Sequence, residues 1–195
     1  MIKRKETFDL SLEEKRLSSE TIFHGYVMDL ELAQVQLPSG QKTRREIVRH
    51  APAVALLAIN DQNEMLLMRQ WRAAVNKATL EIPAGKVDSR DDSALHAAIR
   101  ELNEETRLAA DKITEVSSFY TSVGFCDEHM TLYLATGLSP VENELPQDED
   151  ENLQMIHVSL NQANQMIATG EINDAKTIMA IYYWQGLKLR GELNG

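Results

Sequence analysis

The first fifty residues carry the alternating pattern of β-strands. From Tyr26 to Leu37 apolar and polar residues partly alternate, Pro38-Ser39-Gly40 supplies a turn, and Arg45-Glu46-Ile47-Val48 has an extended character. Alternation of this kind places the apolar side chains on one face of a sheet. The pattern therefore predicts an N-terminal hairpin or small sheet.

Two apolar runs follow this segment, Ala53 to Ile59 and Met65 to Met68, with the polar break Asp61-Gln62-Asn63 between them. Short apolar runs on either side of a polar turn are typical of buried strands. They predict two core strands joined by a tight connection. Later runs of similar character predict further strands at Glu115–Tyr120, Thr131–Ala135 and Met155–Val158.

The most extended helical pattern spans Ser93 to Thr106, after a predicted loop at Ile82–Gly85. Apolar or half-apolar residues recur there at helical spacing and predict one buried face. These residues are Leu95, Ala98, Ile99, Leu102 and Thr106.

Two further helices are predicted near the C-terminus. Ser159 and Gln162 have the spacing of a capping box, and Gly170 suits a helix end. Asp174 is a suitable cap for the last helix, which carries Ile178, Ile181, Tyr182 and Leu189. Strands interspersed with helices indicate an α/β (α+β) fold in which a mixed sheet packs between helices.

Composition narrows the class of protein. The chain has 195 residues, 43% of them hydrophobic, which is enough to bury the core of one domain with a small terminal appendage. Its net charge of -10 argues against general binding to nucleic acid or to an anionic membrane, which needs excess Lys and Arg. Cys126 is the single cysteine, so no intrachain disulfide is possible, and we expect a cytoplasmic protein. Residues 1–10 lack the apolar core of a signal peptide, and no later run has the length of a membrane span.

Three carboxylates stand close together in the first predicted helix. Glu101, Glu104 and Glu105 are three and four residues apart, so their side chains are neighbours in a helix. Like charges at this spacing destabilise a helix unless a cation lies among them, and oxygen ligands suit Mg²⁺ or Mn²⁺. A solvated acidic helix face is the alternative interpretation of the cluster alone.

The context of the cluster favours the metal site. Gly85 begins a polar loop that leads to Arg100-Glu101-Leu102-Asn103-Glu104-Glu105, and Leu80-Glu81-Ile82-Pro83-Ala84 precedes it. This segment resembles the Nudix box, Gx5Ex7REUxEExGU with U an aliphatic residue. The resemblance implies an α/β/α sandwich around a mixed sheet, and hydrolysis of a diphosphate bond.

Two departures from the box stand out. The segment from Gly85 to Arg100 is one residue longer than the pattern, so either Asp91 or Asp92 stands where the first Glu belongs. Arg107 replaces the second glycine, which ends the helix in a left-handed conformation. Because a side chain makes that conformation costlier, we expect the helix to exit differently here.

Segments outside the box resemble the ADP-ribose pyrophosphatase group of Nudix hydrolases. They are Leu37–Gly40, Arg45–Val48, Arg69–Arg72, Gly124–Glu128, Gly170–Ile172 and Asp174–Thr177. The group has a proline where this chain has Val123. The resemblance implies cleavage of ADP-ribose to AMP and ribose 5-phosphate with two or three Mg²⁺ ions, for which Mn²⁺ could substitute.

The resemblance also implies roles for particular residues. The main-chain carbonyl of Ala84 and the carboxylates of Glu101 and Glu105 would bind the metal, with Glu104 beside them as a catalytic residue. An acidic loop, Asp148 to Glu151, would supply the general base, Glu149, and a further metal ligand, Glu151. Residues expected to contact the substrate are Arg45, Glu46, Arg72, Lys86, Ser122, Glu128 and, stacking on the adenine, Tyr26, for which Trp71 is an alternative.

Members of this group exchange an N-terminal element across a two-fold homodimer. We therefore expect residues 1–48 to form a swapped β-element and residues 49–195 to form the hydrolase domain. Two alternatives stay open at this point. One is a diphosphatase that acts on another nucleotide sugar or a dinucleotide, and the other is a module that senses a nucleotide without cleaving it.

Overall fold

A computed structural model describes residues 10–147 and 152–193. The chain forms two compact units. The first comprises the residues up to Ala51 together with Tyr120–Glu128, and the second comprises Pro52–Phe119 and the residues from His129 onward. Within the described ranges, no helix is long and apolar enough to cross a membrane.

The first unit contains an antiparallel sheet of strands β1 (Lys15–His24), β2 (Met28–Gln36) and β3 (Lys42–His50), in that order. The predicted hairpin is confirmed: Gln36 pairs with Lys42 at its tip, where Gly40 adopts a φ of 84°. Strand β1 was not predicted. All ten of its residues are exposed, so no buried face imposes an alternating pattern on its sequence.

The elements from Ala53 onward form two sheets and three helices within the described residues. One sheet has the strand order β7-β4-β9-β8, and the other has the order β10-β5-β6. The bounds are β4 Ala53–Ala58, β5 Glu64–Arg72, β6 Lys77–Glu81, β7 Ala84–Lys86, α1 Ala94–Thr106, β8 Leu108–Tyr120, β9 His129–Pro140, β10 Gln154–Ser159, α2 Leu160–Thr169 and α3 Ala175–Leu189.

The first of these sheets is mixed, as predicted, because β4 runs parallel to β9 and antiparallel to β7. All residues of β4 are buried, and alternate residues enter two separate cores. Leu57 packs in the core that contains Trp184 of α3, whereas Leu56 packs in the core that contains Leu102 of α1. This is a sheet with helices on both faces, so the α/β sandwich is confirmed.

The predicted strands at Ala53–Ile59 and Met65–Met68 are both present, and a turn with Asn63 at φ 60° joins them. They belong to different sheets, however, and an isolated bridge between Ile59 and Met65 links the two sheets at this turn. The segment Ile82–Gly85, predicted as a loop, enters strand β7 at Ala84. The hydrogen bonds of β7 come from its pairing with β4. A strand of three residues is too short to show a periodic pattern, so the sequence did not predict this strand.

The helix boundaries agree with the capping signals. Ser159 and Gln162 form the predicted capping box of α2, and Gly170 ends that helix with a φ of 79°. Asp174 caps α3 by accepting a hydrogen bond from the amide of Thr177. These helix ends depend on side chains within a few residues, so the sequence predicts them.

The predicted buried face of α1 is wrong in part. Ala98 and Leu102 are buried, but Leu95 and Ile99 are 42% and 49% exposed. The acidic side of the helix is buried in their place, with Glu101, Glu104 and Glu105 each less than 10% exposed. Burial of three charges needs specific partners, and these define the candidate site.

Candidate active site

The helix α1 and the strand β7 position the candidate site. Ser93 caps α1 by accepting a hydrogen bond from the amide of His96. Strand β7 pairs with β4, with Gly85 opposite Val54 and Ala84 opposite Ala55. The acidic side of α1 therefore stands against a backbone that the central sheet holds in place.

Two carboxylates of α1 converge on the main chain of β7. Glu101 lies so close to Gly85 that a Cβ atom built on this glycine would be 2.0 Å from Oε1 of Glu101. Glu105 accepts a hydrogen bond of 3.4 Å from the amide of Ala84. The structure thus brings together Ala84, Glu101 and Glu105, which the sequence predicted as metal ligands.

Arg100 compensates the charge of the acidic cluster. Its Nη1 atom lies 2.8 Å from Oε1 of Glu101 and 2.7 Å from Oε2 of Glu104, and its Nη2 atom donates to the carbonyl oxygen of Lys86 at 2.9 Å. The hydrogen bonds to Asp91 raise the pKa of Arg100, and the nearby Glu101 and Glu104 raise it further. A permanently charged guanidinium explains how the carboxylates can be buried beside one another.

The same arginine decides between the two candidates for the first acid of the box. Asp91 accepts hydrogen bonds from Nε and Nη2 of Arg100, at 3.0 and 2.8 Å, and its side chain is fully shielded from solvent. These hydrogen bonds lower the pKa of Asp91. Asp92 is exposed, so Asp91 takes the place of the first acid.

The expectation that Arg107 changes the way in which helix α1 ends is wrong. Arg107 adopts the left-handed conformation, with φ 61° and ψ 27°, although it is not glycine. Its amide donates to the carbonyl oxygen of Asn103, and its guanidinium contacts the carbonyl oxygen of Leu145 and lies 3.5 Å from Glu144. These contacts offset the cost of placing a Cβ atom in this conformation.

Arg72, predicted to contact the substrate, is held by a buried acid. Its Nε and Nη2 atoms each donate to Glu81 at 2.8 Å, and its side chain is 45% exposed. Lys176 also donates to Glu81, at 2.5 Å. Sequence reasoning missed Glu81 and Lys176 as members of the site. The available signal was a charged residue between the apolar Leu80 and Ile82.

The other predicted substrate contacts, except Lys86 on β7, lie in the first unit. Arg45 is bound by Glu14 at 2.9 and 2.5 Å, whereas Glu46, the next residue on β3, is exposed. Tyr26 is 95% exposed beside the start of β2. All three lie on or beside the N-terminal sheet.

The segment that carries Ser122 and Glu128 docks on β3. The amide of Val48 donates to the carbonyl oxygen of Phe125 at 2.7 Å, and Asp127 accepts hydrogen bonds from Arg49 and from the amide of His50 at 2.8 and 2.9 Å. Within this segment the carbonyl oxygen of Ser122 accepts from two amides, while Glu128 accepts from the hydroxyl of Thr121.

The donor set fits a divalent cation. Among residues 10–147 and 152–193, no group of three His, Cys, Asp or Glu side chains is arranged for metal binding. Arg100 already engages Glu101 and Glu104, and the expected third protein ligand, Ala84, would use a main-chain oxygen. Glu149 and Glu151 lie outside the described residues. The carboxylates of Glu101 and Glu105 and the carbonyl of Ala84 lie close together and would form an all-oxygen set of the kind that Mg²⁺ and Mn²⁺ prefer.

Comparison with known proteins decides the family. The NUDIX domain matches residues 49–181. The chain belongs to the Nudix family. Hydrolysis by Nudix ADP-ribose pyrophosphatases depends on divalent metal ions.

Two curated relatives match this chain over nearly their whole length. The ADP-ribose pyrophosphatase of Bacillus subtilis is 42% identical over 175 residues, which are 90% of this chain and 94% of the relative. The methanol dehydrogenase activator of Bacillus methanolicus is 43% identical over 173 residues, 89% of this chain and 93% of the relative. A crystal structure of an ADP compounds hydrolase shares the fold, with a TM-score of 0.80, 22% identity, and coverage of 93% of this chain and 98% of that one.

Proposed function

We propose that this Nudix protein hydrolyses the diphosphate bond of ADP-ribose to give AMP and ribose 5-phosphate. The observation that carries the proposal is the convergence of Glu101 and Glu105 on the backbone of Ala84 and Gly85. The similarity to the Bacillus subtilis pyrophosphatase supports the choice of substrate.

In the proposed site, the carbonyl oxygen of Ala84 and the carboxylates of Glu101, Glu105 and Glu151 would hold two or three Mg²⁺ ions, or Mn²⁺ in their place. Such ions, when bound, neutralise the charge of the diphosphate and make water more acidic. Arg100 donates hydrogen bonds to Glu101 and Glu104, so its positive charge offsets the repulsion between these neighbouring carboxylates.

Proton transfer and substrate contact fall to other residues in this proposal. Glu149 takes the proton of the attacking water, whose oxygen bonds to phosphorus while the bridging P–O bond breaks. The half-exposed guanidinium of Arg72 donates to a phosphate oxygen. Arg45, Glu46, Lys86, Ser122, Glu128 and Tyr26 complete the proposed contacts to the substrate.

The test is a steady-state assay of the purified chain with millimolar Mg²⁺, in which chromatography detects AMP. ADP-ribose should give the highest kcat/KM among nucleotide sugars and dinucleotides, and chelation of the metal should abolish turnover. Tight binding of ADP-ribose without release of AMP would instead support the sensing alternative.

A second candidate substrate is a dinucleotide, which shares the ADP group and the diphosphate. The methanol dehydrogenase activator matches this chain as well as the pyrophosphatase does, and it is named for an effect on a dehydrogenase. Hydride transfer commonly uses a nicotinamide dinucleotide, so this similarity favours a dinucleotide as the alternative substrate. A higher kcat/KM for a dinucleotide than for ADP-ribose would decide for this candidate.

We also propose a homodimer in which residues 1–48 are exchanged. The support is the exposure of β1, whose ten residues include Ile22 and Phe23 at 51% and 53%. Exposed apolar side chains on an outer strand are typical of a surface that another chain covers. Sedimentation as a monomer at micromolar concentration would contradict this proposal.

A further inference from the structure

The carboxylate of Glu81, in the second unit, accepts four hydrogen bonds. Its Oε1 atom accepts from Nε of Arg72 at 2.8 Å and from the hydroxyl of Thr79 at 2.7 Å. Its Oε2 atom accepts from Nη2 of Arg72 at 2.8 Å and from Nζ of Lys176 at 2.5 Å. With 3% of its surface exposed, Glu81 has little freedom to move.

Lys176 occupies a position that helix energetics disfavour. It lies in the first turn of α3, where the partial positive charge of the helix repels a cation. Its side chain is also only 11% exposed, and burial of an ammonium group is costly. Glu81 and Asp174, at 2.5 and 3.1 Å, compensate both costs.

The same turn of α3 is joined to the segment that leads into the candidate metal site. The hydroxyl of Thr177 accepts a hydrogen bond from the buried amide of Ile82 at 2.9 Å and donates to Asp174 at 2.7 Å. Ile82 precedes Ala84 by two residues. Lys176 and the proposed metal ligand are therefore fixed to the same stretch of backbone.

Arg72 retains N–H donors that Glu81 does not occupy, and its side chain is 45% exposed. Among the described residues it donates to no side chain other than Glu81, which occupies its Nε and Nη2 atoms. Hydrogen bonding to Glu81 raises the pKa of Arg72, and the charge of Glu105 adds to this effect. A guanidinium held along one edge can bind an anion along the other.

We propose that Lys176 is a positioning residue that acts through Glu81 to orient Arg72 toward a phosphate group of the substrate. Lys176 does not itself touch the substrate. The inference rests on the proposed function, since it assigns Arg72 to a diphosphate. Loss of Lys176 leaves Oε2 of Glu81 with one donor fewer, and the guanidinium then samples more orientations.

The test is a double-mutant cycle with K176M and R72A. We expect K176M to raise the KM for ADP-ribose about tenfold, the size of one charge-assisted hydrogen bond, with kcat nearly unchanged. K176R, which keeps a cationic donor, should recover most of this loss. K112M, a change at an exposed lysine of β8, is the matched control and should resemble the wild type.

Binding without metal provides a second measurement. Calorimetry in EDTA gives the Kd for ADP-ribose, and we expect the Kd of K176M to rise by the same factor as its KM. In the R72A background K176M should cause no further change, because Lys176 acts through Arg72. Should K176M fail to fold, E81Q takes its place in the cycle, since it keeps the shape of the side chain.

The outcomes separate the two proposals. Equal losses from K176M with and without Arg72, or a wild-type Kd for K176M, would overturn the positioning role. Failure of the wild type to release AMP would overturn the proposed function, while the binding cycle would still test the inference. If ADP-ribose does not bind, the cycle is run with the diphosphate that the substrate panel prefers.

Discussion

Replacement of Gly85 by alanine tests the geometry of the acidic cluster most directly. The new Cβ atom would stand 2.0 Å from Oε1 and 2.1 Å from Cδ of Glu101. Because Cβ atoms do not approach other atoms closer than about 3.0 Å, the carboxylate must move by at least about 1 Å. The three atoms nearest to the new Cβ atom all belong to the side chain of Glu101, so the closest clash falls on the proposed metal ligand.

Activity and stability should therefore respond differently. A displacement of about 1 Å at a reacting centre can cost about 100-fold in rate, and we expect kcat/KM to fall by about that factor in G85A. Overpacking costs about 1 to 3 kcal/mol, and the lower end applies here because the end of a side chain can yield. The variant should thus remain folded at 25 °C.

Steady-state kinetics and urea unfolding of the same preparation measure the two effects. G186A is the matched control, because its Cβ atom would meet the end of the Arg190 side chain at 3.1 Å, in helix α3. It should keep wild-type kinetics. Wild-type turnover in G85A would refute the placement of Glu101 as a metal ligand, and loss of folding would refute the assignment of the clash to a yielding side chain.

Three further predictions concern the acids. E105Q should lower kcat by at least about 100-fold with the fold intact, as circular dichroism would show, since a proposed metal ligand loses its charge. E149Q should lower kcat by about 100-fold or more with little change in substrate binding, and an unchanged kcat would place the base elsewhere. Burial alone raises the pKa of Glu81, but hydrogen bonds from Arg72 and Lys176 outweigh it and lower the pKa to about 2 from 4.5. The ionised group thus stabilises the fold above pH 4.5 and loses this effect toward pH 2, so the stability difference between wild type and E81Q should narrow over that range in urea unfolding.

Features with local causes were predictable from the sequence. The cap at Ser159 and the buried strand β4 depend on neighbouring residues or on a continuous apolar run, and both are present. Strand β1 depends on pairing with β2, and its exposed faces leave no pattern to detect. The exposure of Leu95 in α1 was missed for the converse reason, since periodicity marks an apolar face without showing what covers it.

In the candidate site, too, features with local causes were predictable and features that depend on distant residues were not. The spacing of Glu101 and Glu105 places them together on one helix, so their proximity followed from the sequence alone. The contact between Glu81 and Lys176 joins residues 95 positions apart, and no local rule reports it. At Arg107 the sequence correctly indicated that a side chain makes the left-handed conformation costlier. Contacts with residues 144 and 145, which the sequence did not indicate, offset this cost.

Five consecutive residues, from Glu81 to Gly85, connect the two charged groups of the second unit. Glu81 gathers the cations of β5 and α3, while the backbone of Ala84 and Gly85 meets the acids of α1. Strands β6 and β7 end and begin within this segment, so the sheets that contain them restrain it from both sides. This restraint keeps the main chain of the segment in place when a single donor to the Glu81 carboxylate is removed, so the effect of K176M should pass through Arg72 and not through the proposed metal ligands. In the proposed positioning role, a lysine at the start of α3 thus affects substrate binding next to a helix about 70 residues earlier that carries the proposed metal ligands.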